Sequence, residues 1–422
     1  MSRVAAHPAP GRSARRAAAA DPQFEHALLV LVTLGLVAFG LVMVYSASSA
    51  RAAVAAGDPA YYLKRQALYG LAGLAIFAAL ARTDFRVLRR AAGPLLGGSF
   101  ALLALVLVLG LSTNGARRWL TVGPVSFQPS ELAKIGLAIW VAAFLARRPA
   151  PSSLRALGRP IGLVTGLAVL LVLLEPDLGT AISLVILVAA IVVVSGTPLR
   201  VLAGAAGITV ALVLAASWIE PYRRARLLTF LNPWDDAQGA GFQSVQALIA
   251  LGSGGLFGVG LGESVQKVYY LPEASTDMIF AIVGEELGLL GAAAVILAYG
   301  LFGYAGFRIA LRCRDPFGKR LAAGLTALVC GQAAVNLGAV LGLAPLTGVP
   351  LPFVSYGGSS LVAGLAAVGI LLNIAVNDAA AESESSVRDR GRRDGRSRPA
   401  GARGGGGAQR PRRHGELRRS AK

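Results

Sequence analysis

The acidic residue Asp277 stands where a polar segment gives way to a long apolar run. The segment around it, Val265–Gly288, reads VQKVYYLPEASTDMIFAIVGEELG. A carboxylate at such a boundary is costly to bury, and burial raises the pKa of a carboxyl group, which suits a general base. Asp also favours the N-termini of helices, so Asp277 could instead cap the apolar helix that follows. The segment alone leaves both interpretations open.

A second polar segment, Asn114–Lys134, reads NGARRWLTVGPVSFQPSELAK and carries side chains that could bind an anion. Arg118 and Trp119 follow an Asn-Gly pair, which is typical of a turn. Glu131 falls where the first turn of a helix favours an acidic residue. Lys134 lies about one turn further in, where a lysine either extends to the membrane surface or binds an anion.

The longest polar stretch, roughly 219–276, holds four more cationic side chains, Arg223, Arg224, Arg226 and Lys267. They could contact lipid headgroups or the acidic residues of the same stretch. They could also bind an anionic substrate, since arginine matches phosphate and carboxylate through its planar fork. Within the stretch, Gly241–Leu251 has helical apolar spacing, which predicts a short interfacial helix.

Several kinds of chemistry lack the residues they need. The histidines are His7, His26 and His414, all in or near the ends of the chain, so a Ser–His or Cys–His pair in the core is not expected. The two cysteines, Cys313 and Cys330, predict neither a disulfide framework nor a zinc site. The chain has no GxxxxGK[ST] phosphate loop, which leaves ATP-driven chemistry unsupported.

Composition and hydropathy predict an all-α polytopic membrane protein. Of the 422 residues, 55% are hydrophobic, and the mean hydropathy is +0.61. Apolar runs near the roughly 20 residues that cross a bilayer predict about ten transmembrane helices. Their cores are Ala27–Ser46, Gln66–Ala81, Pro94–Leu111, Leu132–Ala146, Ile161–Leu174, Leu178–Val194, Val201–Ser217, Met278–Phe307, Leu321–Leu341 and Leu351–Val376.

The distribution of charge predicts the orientation in the membrane. We interpret Glu175-Pro176-Asp177 as a tight turn between two helices, because proline and two acids interrupt an apolar run. With that turn and a cytoplasmic N-terminus, most basic loop residues lie inside, as the positive-inside rule requires. Both termini are then cytoplasmic, and the large loop at about 219–276 lies outside, between helices 7 and 8.

The chain therefore divides into two tails and a membrane domain. Residues 1–26 are predicted to be a disordered cytoplasmic tail, 27–376 the ten-helix domain, and 377–422 a disordered basic tail. The basic tail favours anionic lipid over nucleic acid as its partner.

Two further segments within the membrane domain hold polar residues. Glu285 and Glu286 lie inside a predicted helix and should face the bundle interior, either as structural hydrogen-bonding groups or as part of a proton path in a transporter. The segment Gly348–Leu361 (GVPLPFVSYGGSSL), which includes Ser355, could serve close helix packing or form a substrate groove.

Seven motifs together resemble the SEDS family (shape, elongation, division and sporulation), its division members more than its elongation members. They are GARRW at Gly115–Trp119, QPSELAK at Gln128–Lys134, EPDLGT at Glu175–Thr180, PYR at Pro221–Arg223, NPW at Asn232–Trp234, VQKVYYLPEASTDMIFAIVGEELG at Val265–Gly288 and SYGGSSL at Ser355–Leu361. The chain departs from the family's pattern at Ser275, where a histidine is usual, and at Leu231 and Met278.

The resemblance implies an inverting glycosyltransferase that polymerises lipid II into peptidoglycan strands, at the outer face of the bacterial cytoplasmic membrane and at the division septum. It implies Asp277 as the catalytic base. The basic residues Arg118, Lys134, Arg223, Arg226 and Lys267 match family positions that could hold the diphosphate. We add Trp119, Glu131 and Ser355, from the same motifs, as candidate substrate contacts. The resemblance implies no organic cofactor, and Mg²⁺ or Mn²⁺ could assist.

The partners that the resemblance implies are lipid II, undecaprenyl-diphosphate-linked glycan, a class B penicillin-binding protein and other divisome proteins. Three alternatives stay open at this point. They are a lipid II flippase, a non-catalytic scaffold for the transpeptidase, and an elongation-type polymerase.

Overall fold

The computed structural model describes residues 22–113, 116–123, 125–219, 224, 229–268 and 270–394. The chain divides into two compact units, Met1–Ala379 and Ala380–Lys422. In the second unit the structure describes residues 380–394, which are helical.

The described part of the chain is mainly α-helical. In chain order the helices are α1 (Pro22–Ala56), α2 (Tyr61–Arg82), α3 (Arg86–Leu109), α4 (Pro129–Leu145), α5 (Leu163–Leu174), α6 (Leu178–Val194), α7 (Leu199–Ile219), α8 (Phe242–Ser253), α9 (Ile279–Arg312), α10 (Pro316–Val340) and α11 (Gly358–Asp394). Short helical turns cover Leu154–Leu157, Gly158–Gly162 and Pro233–Asp236. Helix α9 packs against α1, α8 and α10, and α10 packs against α4 and α6.

Six helices of the described residues are long and apolar enough to cross a membrane. They are Gln23–Ala56, Arg86–Leu109, Leu154–Leu174, Ile279–Arg312, Pro316–Val340 and Gly358–Asn377. Shorter apolar helices cover Leu178–Val194 and Leu199–Ala215. All ten predicted cores overlap a helix, and whether each of those helices crosses the membrane stays a prediction.

Several predicted boundaries are wrong. Helix α3 begins at Arg86, not at Pro94, because a hydropathy window misses two polar first turns. The last helix begins at Gly358, not at Leu351, since prolines at 350 and 352 supply no N–H for a helix. That helix continues to Asp394, and the predicted division between the membrane domain and the tail at residue 377 stays a prediction.

A small antiparallel sheet corrects the all-α prediction. Its strands are β1 (Leu111–Thr113), β2 (Ala116–Val122) and β3 (Val125–Phe127), in the order β1-β2-β3. The strands contain Trp119, Thr121, Val122, Val125 and Phe127, and β-branched and aromatic residues are enriched in strands, which explains strands where we predicted a loop. The Asn-Gly pair at 114–115 lies outside the described residues.

The predicted tight turn between two helices is confirmed. Helix α5 ends at Leu174 and α6 begins at Leu178. Asp177 is the N-cap of α6, and its carboxylate accepts a hydrogen bond from the Thr180 backbone N–H at 2.9 Å. The short helix predicted at 241–251 is confirmed as α8.

Helix α9 is interrupted at Gly288, where φ is 66° and ψ is −162°. The segment 254–260 pairs its backbone with α9 on both sides of this break. Val259 N–H donates to the Glu285 carbonyl at 3.0 Å, and Leu289 N–H donates to the Gly255 carbonyl at 2.9 Å. The long loop before α9 is therefore anchored along the helix, roughly 13 Å past its first residue at 1.5 Å per residue.

Candidate functional site

Asp277 lies immediately before α9 and is partly exposed. The N-cap position of α9 is taken by Met278, which makes no side-chain capping bond, so the capping interpretation of Asp277 is wrong. Thr276 Oγ1 lies 3.3 Å from Asp277 Oδ1 and donates to it. The chain thus holds this carboxylate outside the helix, at the end of the large loop.

The carboxylate of Asp277 faces a second segment of chain, Thr347–Val349. A Cβ atom placed on Gly348 would lie 4.0 Å from Asp277 Oδ2. The buried side chain of Asn336, on α10, joins the two segments, because its Nδ2 donates to the carbonyls of Asp277 and Val349, at 2.7 Å each. Sequence reasoning missed Asn336, which no motif contains.

The predicted site residue Ser355 stabilises the loop that carries this segment. Its Oγ accepts a hydrogen bond from Leu351 N–H at 2.8 Å, and its carbonyl accepts one from Gln66 Nε2 at 3.1 Å. Next to it, Tyr356 N–H donates to the Ser275 carbonyl at 2.9 Å. Ser355 is buried and therefore holds the loop against α2 and the segment before Asp277.

Arg118, on β2, contacts the turn between α5 and α6. Its Nε donates to the Glu175 carbonyl at 2.8 Å, and its guanidinium also donates to the Pro176 carbonyl. The start of α6, directly after this turn, packs against the segment that faces Asp277. A Cβ atom on Gly179 would lie 2.9 Å from the Thr347 carbonyl oxygen. Arg118 and Asp277 are therefore connected through Thr347–Val349.

Two acids of that turn have opposite surroundings. The Asp177 carboxylate accepts hydrogen bonds from Thr180 N–H, from Thr180 Oγ1 at 2.8 Å and from Gln128 Nε2 at 3.3 Å. Glu175 is fully buried, and neither of its carboxylate oxygens has a hydrogen-bond partner among the described residues. Burial first, and then the nearby Asp177 charge, raise the pKa of Glu175 to about 8, against a smaller opposing effect of Arg118.

Lys134 and Glu131 form a buried ion pair at the start of α4. Lys134 Nζ lies 2.8 Å from Glu131 Oε1, and the lysine side chain is only 2% exposed. Trp119 is half-buried on β2, opposite Leu111 of β1. Of these three predicted substrate contacts, Trp119 is the one that keeps an accessible surface.

Lys267, in the loop before α9, belongs to a buried polar cluster that includes Glu286 of α9 and Ser46 of α1. Its Nζ lies 2.7 Å from Glu286 Oε1 and 3.2 Å from Ser46 Oγ. Glu285 Oε1 accepts a hydrogen bond from the Val265 N–H at 3.0 Å, and Glu285 also accepts one from the Ser264 hydroxyl. The expectation that both glutamates face the interior is confirmed, and their contacts anchor the loop that leads to Asp277.

A groove of about 890 Å³ runs between α1 and the segment 261–270 of this loop. Its lining is mostly apolar and includes Val42, Tyr45, Val265 and Tyr270, with Lys267 in one wall. The groove could take a hydrocarbon chain beside the segment that leads to Asp277.

Two predicted contacts, Arg223 and Arg226, lie outside the described residues. Among the residues that are described, no three His, Cys, Asp or Glu side chains are grouped so that they could hold a metal ion.

These features define an integral helical membrane protein. The family model described as "Cell cycle protein" (FtsW, RodA, SpoVE) matches residues 26–380, and the chain belongs to this family.

The match to curated relatives extends over most of the length of each relative. The chain is 41% identical over 350 residues to the "Probable peptidoglycan glycosyltransferase FtsW" of Geobacter metallireducens, covering 82% of this chain and 93% of the relative. It is 41% identical over 355 residues to "Stage V sporulation protein E" of Bacillus subtilis, covering 82% and 96%.

Solved structures agree with the fold. A chain from a study of "polymerization and crosslinking by a peptidoglycan synthase complex" matches with TM-score 0.69 and 35% identity, over 83% of this chain and 97% of that chain. The Rod shape determining protein RodA of Thermus thermophilus matches with TM-score 0.62 and 34% identity, over 83% and 96%.

Proposed function

We propose that this protein is a peptidoglycan glycosyltransferase that polymerises lipid II into glycan strands during cell division, and that Asp277 is its general base. The observation that carries the proposal is the placement of the Asp277 carboxylate. It is partly exposed and faces the segment Thr347–Val349, on which the turn bound by Arg118 packs. Membership of a family whose relatives are named as peptidoglycan glycosyltransferases supports the reaction.

The reaction needs one proton acceptor and a stabilised leaving group. Asp277 takes the proton of the acceptor's sugar 4-hydroxyl as that oxygen attacks the donor's anomeric carbon. The bond from that carbon to the diphosphate breaks on the opposite face, so the configuration inverts. Arg118, with Arg223 and Arg226, balances the charge on the departing lipid diphosphate. The energy comes from the donor bond, which suits a chain without a nucleotide motif.

The remaining predicted contacts divide into two roles. Trp119 is half-buried on β2, and we assign its accessible ring surface to packing against a sugar. Lys134 and Lys267 are each paired with a buried glutamate. The Ser355 hydroxyl accepts a hydrogen bond from Leu351 N–H within its own loop. We assign Glu131 and these three residues to positioning the loops and not to touching the substrate.

The proposal includes the orientation of the chain. In this proposal every helix from α1 to α11 except α8 crosses the cytoplasmic membrane of a bacterium, which gives ten spans. Both termini lie inside, and the large loop lies outside between α7 and α9, at the septum. The pattern of basic loop residues supports this orientation. The active end of the bundle then faces the side where lipid-linked sugars are polymerised.

A class B penicillin-binding protein and other divisome proteins are the proposed partners, with no nucleic acid. The likeness to a chain from a peptidoglycan synthase complex supports the first of these. No organic cofactor is proposed. Mg²⁺ or Mn²⁺ could arrive with the diphosphate, because such ions are usually bound through substrate phosphates, and removal of divalent ions by EDTA tests this.

A lipid II flippase and an elongation-type polymerase are the alternatives. A proton path for a flippase would need acids free to exchange protons inside the bundle. Glu285 and Glu286 are instead engaged by Ser264, Ser46 and Lys267, which favours the enzyme. Complementation of division-defective and elongation-defective cells separates the two polymerase roles.

The deciding experiment follows glycan polymerisation from labelled lipid II by the protein with its cognate class B partner. Asp277→Asn removes the base without changing the side chain's size, and we expect activity to fall by about 10²–10⁴-fold. Asp58→Asn is the matched control, because Asp58 is a surface acid whose salt bridge, among the described residues, is with the exposed Lys64. Full polymerisation by a folded Asp277→Asn variant would refute the proposal, and a translocation assay would then test the flippase.

A further inference from the structure

We propose that Glu175 is a positioning residue that acts in its neutral, protonated form and keeps the guanidinium of Arg118 on the backbone carbonyls of the turn. The inference rests on the proposed function, because the placement of Arg118 matters to catalysis only if the site binds a diphosphate. Glu175 itself touches no substrate in this scheme.

The contrast between the two acids of the turn is the first observation. Asp177 has three hydrogen-bond donors on its carboxylate, which stabilise a negative charge. Glu175, two residues earlier, also carries a carboxyl group. Both of its carboxyl oxygens are buried and accept no hydrogen bond from the described residues. A buried carboxylate without donors is costly, and protonation removes that cost.

The position of Arg118 is the second observation. Its guanidinium donates to the carbonyls of Glu175 and Pro176, not to the Glu175 carboxyl group. An ionised carboxylate would be a stronger acceptor for a guanidinium than a carbonyl, since charge-assisted pairs are about twice as strong as neutral ones. The observed contact is therefore the one expected beside a neutral acid.

The charged groups that face Glu175 agree with this state. Among the described residues these groups are Asp177, at the start of α6, and Arg118, on β2. The Asp177 carboxylate disfavours a second negative charge on Glu175, and the Arg118 guanidinium favours it. Burial is the largest influence, and the pKa of Glu175 is raised to about 8. Glu175 is thus mostly neutral at pH 7 and ionises at mildly alkaline pH.

Ionisation of Glu175 would displace Arg118. The new carboxylate lies in the same turn as the carbonyls that the guanidinium now contacts, so Arg118 would turn toward the buried acid. The guanidinium would then be withdrawn from the leaving diphosphate. Polymerisation should therefore fall as the pH rises through the pKa of Glu175.

The experiment compares pH profiles of polymerisation for wild type and Glu175→Gln, in the complex with the class B partner, from about pH 6 to pH 9.5. Wild type should lose about tenfold in rate at one pH unit above the pKa, because about a tenth of Glu175 is then neutral. Glu175→Gln, which is permanently neutral, should keep its rate there and match wild type at pH 7. Identical alkaline limbs in the two proteins would overturn the proposal.

A second measurement does not depend on catalysis. Infrared difference spectra of the full-length protein, with Glu175→Gln as the reference, should show the carbonyl stretch of a protonated carboxyl group at neutral pH. The band should disappear as wild type is titrated through about pH 8. Absence of the band at pH 7 would overturn the proposal, whereas a band in a protein that forms no polymer would instead count against the proposed function.

Discussion

At the scale of single residues, the positive charges predicted to bind an anion proved to have different surroundings. Among the described residues, the hydrogen bonds of the Arg118 guanidinium go to the backbone carbonyls of Glu175 and Pro176 and not to an acidic side chain. Lys134 and Lys267 are each buried against a glutamate. A sequence pattern identifies a lysine near a membrane surface, but it does not show which carboxylate the fold brings to it. Burial and pairing therefore separate the residues that can meet substrate from those that hold the loops.

The ion pair of Lys267 with Glu286 gives a test at this scale. Removing one partner leaves the other charge buried and unpaired, which typically costs about 3–5 kcal/mol. We expect Lys267→Met and Glu286→Gln each to lower the midpoint of thermal unfolding in detergent strongly.

The double variant Lys267→Met/Glu286→Gln should recover part of that loss, because no unpaired charge is left. Losses that simply add in the double variant would show that the two side chains do not stabilise each other. Polymerisation by the folded double variant would further support a positioning role for Lys267.

At the scale of elements, the break in α9 anchors the loop that ends at Asp277. The backbone at Gly288 lies in a region that only glycine occupies readily. A Cβ atom there would lie 2.4 Å from the Gly258 backbone nitrogen. The helix and the segment 254–260 therefore need glycine at this point to exchange their backbone hydrogen bonds.

Gly288→Ala should both destabilise the protein and lower polymerisation, because it strains the backbone by about 1–3 kcal/mol and pushes the segment 254–260 away. Thermal unfolding and the lipid II assay measure the two effects. Gly300→Ala is the matched control, since Gly300 is on the same helix with nothing within 4 Å of its added Cβ. Equal behaviour of the two variants would show that the break does not hold the loop.

At the scale of the whole molecule, the orientation in the membrane can be tested by labelling. In a variant with Cys313 and Cys330 replaced by serine, Glu263→Cys lies in the large loop and Arg147→Cys in a loop predicted to be cytoplasmic. Both positions are exposed. We expect a membrane-impermeant thiol reagent to label residue 263 in intact spheroplasts and residue 147 only after lysis. The opposite pattern would invert the proposed topology and place Asp277 inside.

The sequence by itself determined the helical membrane architecture, the turn at Glu175–Asp177 and the position of Asp277 just before a helix. These follow from local composition, because hydropathy, proline and charge act within a few residues of where they stand. The short sheet was missed, since its strands are stabilised by pairing with one another and not by local hydropathy.

Only the tertiary structure decided which side chains meet. Asn336 and Gly348 come to Asp277 from more than fifty residues away along the chain. Packing buries the Glu175 carboxyl group away from solvent, whereas the Asp177 carboxylate accepts three hydrogen bonds. Burial and hydrogen bonding depend on packing between distant segments, and those interactions set the pairing of the lysines and raise the pKa of Glu175.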